Sequence, residues 1–271
     1  MIRLVACDLD ETLLKDDKTA GKENARAIAQ AEDAGVRFVL CTGRPYYAIE
    51  PTQKELGFHD EAGRYSITCN GSAIYENKNH RLLHCDGISW ELANAFFQEG
   101  LKHDVCIQVF TLDDTYAWNP DEDEYAYIRG RMSFQALEQP DIDFLKDASI
   151  LKILYQRADM DYLHEVEKQV RHLSGDCDVS FSSGRYLEFN KKGVNKGSGM
   201  LWLADKLGID QSETMAIGDS LNDLAMIEDA AIGVGVANCD DSIRSAADVI
   251  TKADHNHGAV AEALNEYVLN R

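Results

Sequence analysis

Directly after Met1 stands Ile2-Arg3-Leu4-Val5-Ala6-Cys7-Asp8-Leu9-Asp10-Glu11-Thr12. Ile2 to Cys7 is apolar except for Arg3, the pattern of a strand buried on both faces of a parallel sheet. Two aspartates follow directly. A surface turn or a helix N-cap would use aspartates at this spacing too. At the end of a buried parallel strand they mean more, because open α/β sheets bind ligands beyond the carboxyl ends of their strands. Carboxylates crowded there need a cation to be tolerated, and hard oxygen donors select magnesium.

Outward from this stretch, strands and helices alternate with short links. Lys22 to Ala34 carries Ala25, Ile28, Ala29 and Ala31 on one helical face and stops at Gly35. Val36 to Cys41 and Tyr65 to Cys69 read as the next strands. The theme returns near the C-terminus: a helix over Gly199 to Leu207, a strand over Thr214 to Ile217, a helical stretch over Leu221 to Ile227, a strand over Ala231 to Val236 and a closing helix over Ala259 to Val268. Such alternation predicts an α/β fold, a Rossmann-like parallel sheet covered on both faces. The middle differs. Helices at Ile88 to Leu101 and Asp161 to Leu173 mix with a hairpin at Cys106 to Trp118 and with strands at Ile150 to Tyr155, Val179 to Ser182 and Tyr186 to Phe189. It reads as an α+β unit inserted at residues 84–188, with 1–83 and 189–271 forming the α/β core. The acidic run Asp121-Glu122-Asp123-Glu124 reads as a solvated loop.

Three further motifs fall at strand ends or helix starts. Thr42-Gly43-Arg44 offers a hydroxyl and turn N–H groups suited to a phosphate oxygen, or a plain strand-to-helix turn before Pro45. Lys196 lies between glycines, in Gly193-Val194-Asn195-Lys196-Gly197, just before a helix. A lone lysine is usually solvated, but a point cation near an anionic site has an evident use. Gly218-Asp219-Ser220-Leu221-Asn222-Asp223 adds two carboxylates and an amide. Helix capping explains one of these residues, not the set.

Net charge is −20 and the sequence pI about 4.7. A field of that sign repels nucleic acid and anionic membranes, so neither is an expected partner. It also repels phosphorylated small molecules unless local cations or a metal receive them. Of seven cysteines, none in a C-x-x-C pair, Cys7, Cys41 and Cys69 sit at the ends of apolar runs, which suggests buried thiols in a reducing compartment. Met1 to Asp8 is too short and uncharged for a signal peptide, and no apolar stretch approaches ~20 residues, so a cytoplasmic location is expected. Oligomeric state has no signature in the sequence.

The four motifs, in this order and spread over the whole chain, resemble the haloacid dehalogenase (HAD) superfamily. Within it the closest pattern is that of the Cof-type sugar phosphatases with a type IIB cap: D-x-D-x-T, a strand-end Thr or Ser, a Lys, then G-D-x-x-N-D. The insert between the second and third motifs fits that cap, and Asn70-Gly71 after the third strand fits the subgroup. Glu11 departs from it, standing where Gly is usual.

The resemblance implies a magnesium-dependent phosphatase acting on small phosphate monoesters, sugar phosphates in this subgroup. Asp8 would be the nucleophile, and Asp10 the general acid and then base, steadied by Thr12. Magnesium would be held by Asp8, the main-chain carbonyl of Asp10 and Asp219, with Asp223 behind them. Leu9 (through its backbone), Thr42, Gly43, Lys196 and Asn222 would hold phosphoryl oxygens. Arg44, Asn70 and Gly71 are the nearer candidates for the leaving group, with Arg129, Arg131, Ser183 and Arg185 in the cap. His255 and His257 read as surface histidines of a polar loop. A phosphomutase on the same scaffold would use the same residues, and a binding module without catalysis would be expected to lack Asp8 or Asp10.

Overall fold

The structure, a computed structural model, describes residues 1–129 and 131–270. In chain order the strands are β1 (Leu4–Cys7), β2 (Arg37–Cys41), β3 (Tyr65–Thr68), β4 (Ala73–Glu76), β5 (Arg81–Cys85), β6 (Cys106–Thr111), β7 (Thr115–Trp118), β8 (Gln135–Ala136), β9 (Ile150–Gln156), β10 (Cys177–Ser182), β11 (Tyr186–Lys191), β12 (Thr214–Gly218), β13 (Ile232–Gly235) and β14 (Val249–Ile250). They form two sheets, one in each of two compact units. No helix among the described residues is long and apolar enough to cross a membrane.

The first unit comprises Met1–Arg44, Ile49–His84 and Asn195–Arg271. Its sheet has the order β14-β13-β12-β1-β2-β3-β4-β5. Pairing is parallel from β14 to β3 and turns antiparallel at β3–β4. All four residues of β1 are buried, as are all five of β12, which is why both read as apolar runs. β1 lies between β2 and β12, so the chain proceeds outward in opposite directions on its two sides. That is a topological switch point, where loops diverge and a crevice opens beyond the strand ends. Asp8, Thr42 and Asp219 each follow directly on a strand of this sheet.

The second unit comprises Pro45–Ala48 and Cys85–Val194. Its sheet has the order β10-β11-β9-β6-β7-β8 and is antiparallel through β7. One face packs against helices Trp90–Gly100 and Met160–Val170, around Phe96, Phe97, Ile107, Val109, Ile153, Tyr155 and Phe189. Residues 189–194, grouped with the flanking segments in the sequence reading, fall in this unit. The reason is that β11 runs on to Lys191 and stays paired with β10.

The acidic run is solvated at Asp121, Glu122 and Asp123, as expected, but it starts a helix and buries Glu124. Asp121 caps a helix, Glu122–Ile128, accepting from the Glu124 N–H at 2.7 Å. Glu124 is fully buried, accepts from Gln108 Nε2 and Tyr186 Oη at 2.7 Å each, and lies 3.2 Å from Arg185 Nε. The D-x-x-E spacing with Tyr125 and Ile128 following was the available signal for a capped amphipathic turn.

Candidate active site

Three loops of the first unit bring their side chains together. The N–H of Asp8 still donates to Ile217 O at 2.9 Å, so the parallel ladder of β1 and β12 holds its backbone and aims its side chain. Lys196 begins the helix Lys196–Lys206, whose start is fixed by a reciprocal cap between Asn195 and Ser198. The Lys196 ammonium is 0% exposed and donates to Asp8 Oδ1 and Asp223 Oδ1, each at 2.6 Å. Asp223 Oδ2 accepts from the N–H groups of Asp219 and Ser220 at 3.0 and 3.2 Å. Asp223 therefore fixes the loop that presents Asp219. Gly218 makes this approach possible, since a Cβ there would lie 2.5 Å from that of Asp223.

Asp8, Asp219 and Asp223 each place a carboxylate oxygen within 4.8 Å of the others, and all three are buried. One lysine does not balance three acids. Burial pushes the Asp8 carboxyl well above the ordinary carboxylate range, with Asp223 adding and Lys196 opposing. Burial does the same to Asp219, and the charges of Asp8 and Asp223 push further in that direction. For Lys196, burial works against the charged form, yet Asp223 and Asp8 outweigh it and the group stays firmly protonated. Buried, oxygen-only and under-compensated, the cluster suits a hard divalent cation. The donor set fits magnesium. Asp223 already uses both oxygens on protein donors, which leaves Asp8 and Asp219 as the freer carboxylates.

Thr12 departs from expectation. It was read as steadying Asp10, but its hydroxyl donates to Asp219 Oδ1 at 2.8 Å. The cause is the loop between. Leu14 N–H returns to Leu9 O at 2.7 Å, and Glu11 takes φ 59°, the left-handed region that suits glycine. The reversal carries Thr12 back toward Asp219, while the Asp10 side chain meets Arg44 Nε at 2.7 Å and Nη2 at 2.5 Å. Asn238 Nδ2 holds the strained Glu11 through its carbonyl at 2.9 Å.

The remaining residues singled out from sequence divide in two. Thr42 is buried, and its Oγ1 accepts from Arg44 N–H at 3.1 Å. The Asn70 N–H donates to Thr42 O at 3.0 Å, and Asn222 Nδ2 lies 3.5 Å from Asn70 Oδ1, so these loops adjoin. Gly43 packs against the Asn70 amide. Leu9 is fully buried. Gly71 has a packing reason to be glycine: at φ 99° its missing Cβ would meet Asn195 O at 2.2 Å. Arg129, Arg131, Ser183 and Arg185 belong to the second unit, where Arg131 and Arg185 lie 4.0 and 4.2 Å from the Tyr127 ring centre. His255 pairs with Asp16 and His257 with Asp254. All seven cysteines are free thiols.

A family profile described as haloacid dehalogenase-like hydrolase matches residues 5–264. Among curated proteins, the chain is 32% identical to the 5-amino-6-(5-phospho-D-ribitylamino)uracil phosphatase YcsE of Bacillus subtilis, over 99% of this chain and 96% of that one. It is 24% identical to the pyridoxal phosphate phosphatase YbhA of Escherichia coli, over 98% and 99%. Among solved structures, a haloacid dehalogenase-like hydrolase from Bacteroides thetaiotaomicron superposes with a TM-score of 0.85 at 26% identity, covering 98% of this chain and 99% of that one. The HAD subclass IIB sugar phosphatase BT4131 shares the fold, with a TM-score of 0.84 at 20% identity and 98% coverage of both chains.

Proposed function

The chain belongs to the haloacid dehalogenase-like hydrolases, and from that premise we propose that it hydrolyses small phosphate monoesters, sugar phosphates among them, through an aspartyl-phosphate on Asp8. One observation carries the reading: a buried Asp8 at the end of a central strand, 2.6 Å from a buried lysine and grouped with Asp219 and Asp223. A phosphatase acting through a carboxylate nucleophile needs that nucleophile fixed, desolvated and flanked by positive charge. The relatives named for their substrates add support, since each acts on a phosphate ester of a small metabolite.

Hydrolysis proceeds in two transfers. An Asp8 oxygen bonds to phosphorus as the ester P–O bond breaks, and protonated Asp10 gives its proton to the departing alcohol. Asp10, now a carboxylate, takes a proton from water while the water oxygen bonds to phosphorus. The P–O bond to Asp8 then breaks, releasing inorganic phosphate and restoring the carboxylate. Lys196, Thr42, Asn222 and the backbone of Leu9 and Gly43 hold the phosphoryl oxygens. Magnesium, held by Asp8, Asp219 and the Asp10 carbonyl, would cancel the repulsion between nucleophile and phosphate. Asp223 orients Asp219 and Lys196. We assign catalysis to the α/β unit, which carries the motif residues Asp8, Thr42, Lys196 and Asp219, and selection of the alcohol portion to the 85–194 unit.

The test is phosphate release from a panel of small phosphate esters with magnesium, with EDTA and Asp8→Asn as controls. Release that needs magnesium and Asp8, without an added acceptor, supports the reading. Turnover only when a second hydroxyl substrate or a bisphosphate is added would make the chain a phosphotransferase.

A further inference from the structure

Arg44 is a candidate for the leaving group by resemblance, and its guanidinium pairs with Asp10. Nε donates to Asp10 Oδ2 at 2.7 Å and Nη2 to Oδ1 at 2.5 Å, a two-point fork across the whole carboxylate. We propose that Arg44 is a positioning residue that sets the orientation of the Asp10 carboxylate for proton transfer. The proposal rests on the reading of Asp10 as acid and base.

The two partners are unequal. Arg44 is anchored through its backbone: its N–H donates to Thr42 Oγ1 at 3.1 Å and its carbonyl accepts from Cys69 N–H at 3.0 Å. Its side chain is 15% exposed, against 36% for Asp10. Asp10 sits in the reversing loop, next to the left-handed Glu11. The more buried group, held through its backbone by Thr42 and Cys69, is Arg44, so we take it to direct the more exposed Asp10. A planar fork on both oxygens also fixes the plane of the carboxylate, which a point charge cannot do. Lys18 Nζ, 3.5 Å from Asp10 Oδ1 and 38% exposed, is such a point charge on a flexible stem. Because Arg44 acts through Asp10, its effect must vanish when Asp10 can no longer transfer a proton. A leaving-group contact would act whether or not Asp10 is intact.

A double-mutant cycle separates the two: Arg44→Ala, Arg44→Lys, Asp10→Asn and Arg44→Ala/Asp10→Asn, with kcat and KM measured on an alkyl and a nitrophenyl phosphate. Arg44→Ala should lower kcat on the alkyl ester ~100-fold, as misplacement of a reacting group does. KM should hold nearly constant, and the nitrophenyl ester should suffer much less. Arg44→Lys should recover only part of the loss, and the double variant should be no slower than Asp10→Asn. An undiminished Arg44 effect in the Asp10→Asn background, or a raised KM with kcat intact, would overturn the proposal. Crystal structures of wild type and both single Arg44 variants give a readout independent of activity. The Asp10 side chain should hold one orientation in wild type and disperse in Arg44→Ala; a single retained orientation there counts against positioning. Were wild type to release phosphate from no ester, the phosphatase reading would fail, while the Asp10 orientation would still decide the role of Arg44.

Discussion

Thr12 Oγ1 donates a 2.8 Å hydrogen bond to Asp219 Oδ1, joining two loops 207 positions apart in sequence. Thr12 is fully buried and Asp219 nearly so. The bond fixes one oxygen of a carboxylate expected to face the metal. Thr12→Val keeps the shape and removes the donor, so magnesium should bind ~10-fold more weakly, the low end for loss of a group that orients a ligand. A magnesium titration of activity or of thermal stability reads this. An unchanged magnesium dependence would show that Asp219 needs no help from Thr12.

Removal of magnesium should destabilise the protein more at high pH than at low. Burial raises Asp8 from 3.8 to about 7 and Asp219 from 3.8 to about 9. For a raised carboxyl the folded state holds more protons than the unfolded state between those limits, so stability falls as pH rises through the window. A divalent cation favours the ionised forms and offsets the fall. The rise in Tm from EDTA to magnesium should therefore be larger at pH 8 than at pH 5.5, and the difference should shrink in Asp219→Asn. An equal rise at both pH values would detach the metal from these carboxylates.

Glu11 holds φ 59° where glycine would sit without strain. Glu11→Gly should stabilise the protein by about 1 kcal/mol, the left-handed penalty partly offset by a more flexible unfolded chain. Because Asn238 grips the Glu11 carbonyl, not its side chain, the loop should keep its course. Urea unfolding in EDTA measures the difference. A loss of stability would mean that the Glu11 side chain makes a compensating contact.

The two aspartates of the first loop should fail differently. Asp10→Asn keeps the nucleophile but gives the departing alcoholate no proton, a loss of two to four orders of magnitude by the usual weight of general acid–base catalysis, about 10²–10⁴-fold. The loss should be much smaller with nitrophenyl phosphate, whose leaving group needs little protonation. Equal losses on alkyl and aryl esters would make Asp10 structural.

Much of this site was legible because buried parallel strands write themselves as apolar runs, and their ends mark where ligands bind. Asp8, Thr42 and Asp219 each stand one or two residues past such a run, and Lys196 opens a helix whose cap is visible in Asn195 and Ser198. Side-chain partners chosen across the fold were not legible. Nothing local to Thr12 tells that its hydroxyl turns to Asp219 and away from Asp10; that follows from the reversal at Glu11. Arg44 and Asp10 lie 34 positions apart, with several carboxylates as rival partners. Glu124 was misjudged for a related reason: charge in a run suggests solvent, and only the packing of Gln108 and Tyr186 around it makes burial tolerable. The extent of β11 was hidden as well, since Asn190 and Lys191 carry no strand signature of their own and are held by pairing with β10.

The covalent intermediate tests the account most directly. Asp10→Asn should form the aspartyl-phosphate from nitrophenyl phosphate yet hydrolyse it slowly, for want of a base to activate water. Acid quenching followed by intact-mass and peptide analysis should find one phosphoryl group per chain, on Asp8, and none in Asp8→Asn/Asp10→Asn. Phosphate release by Asp10→Asn with no phosphoryl group on the protein at any time, or with the group on another residue, would contradict Asp8 as the nucleophile.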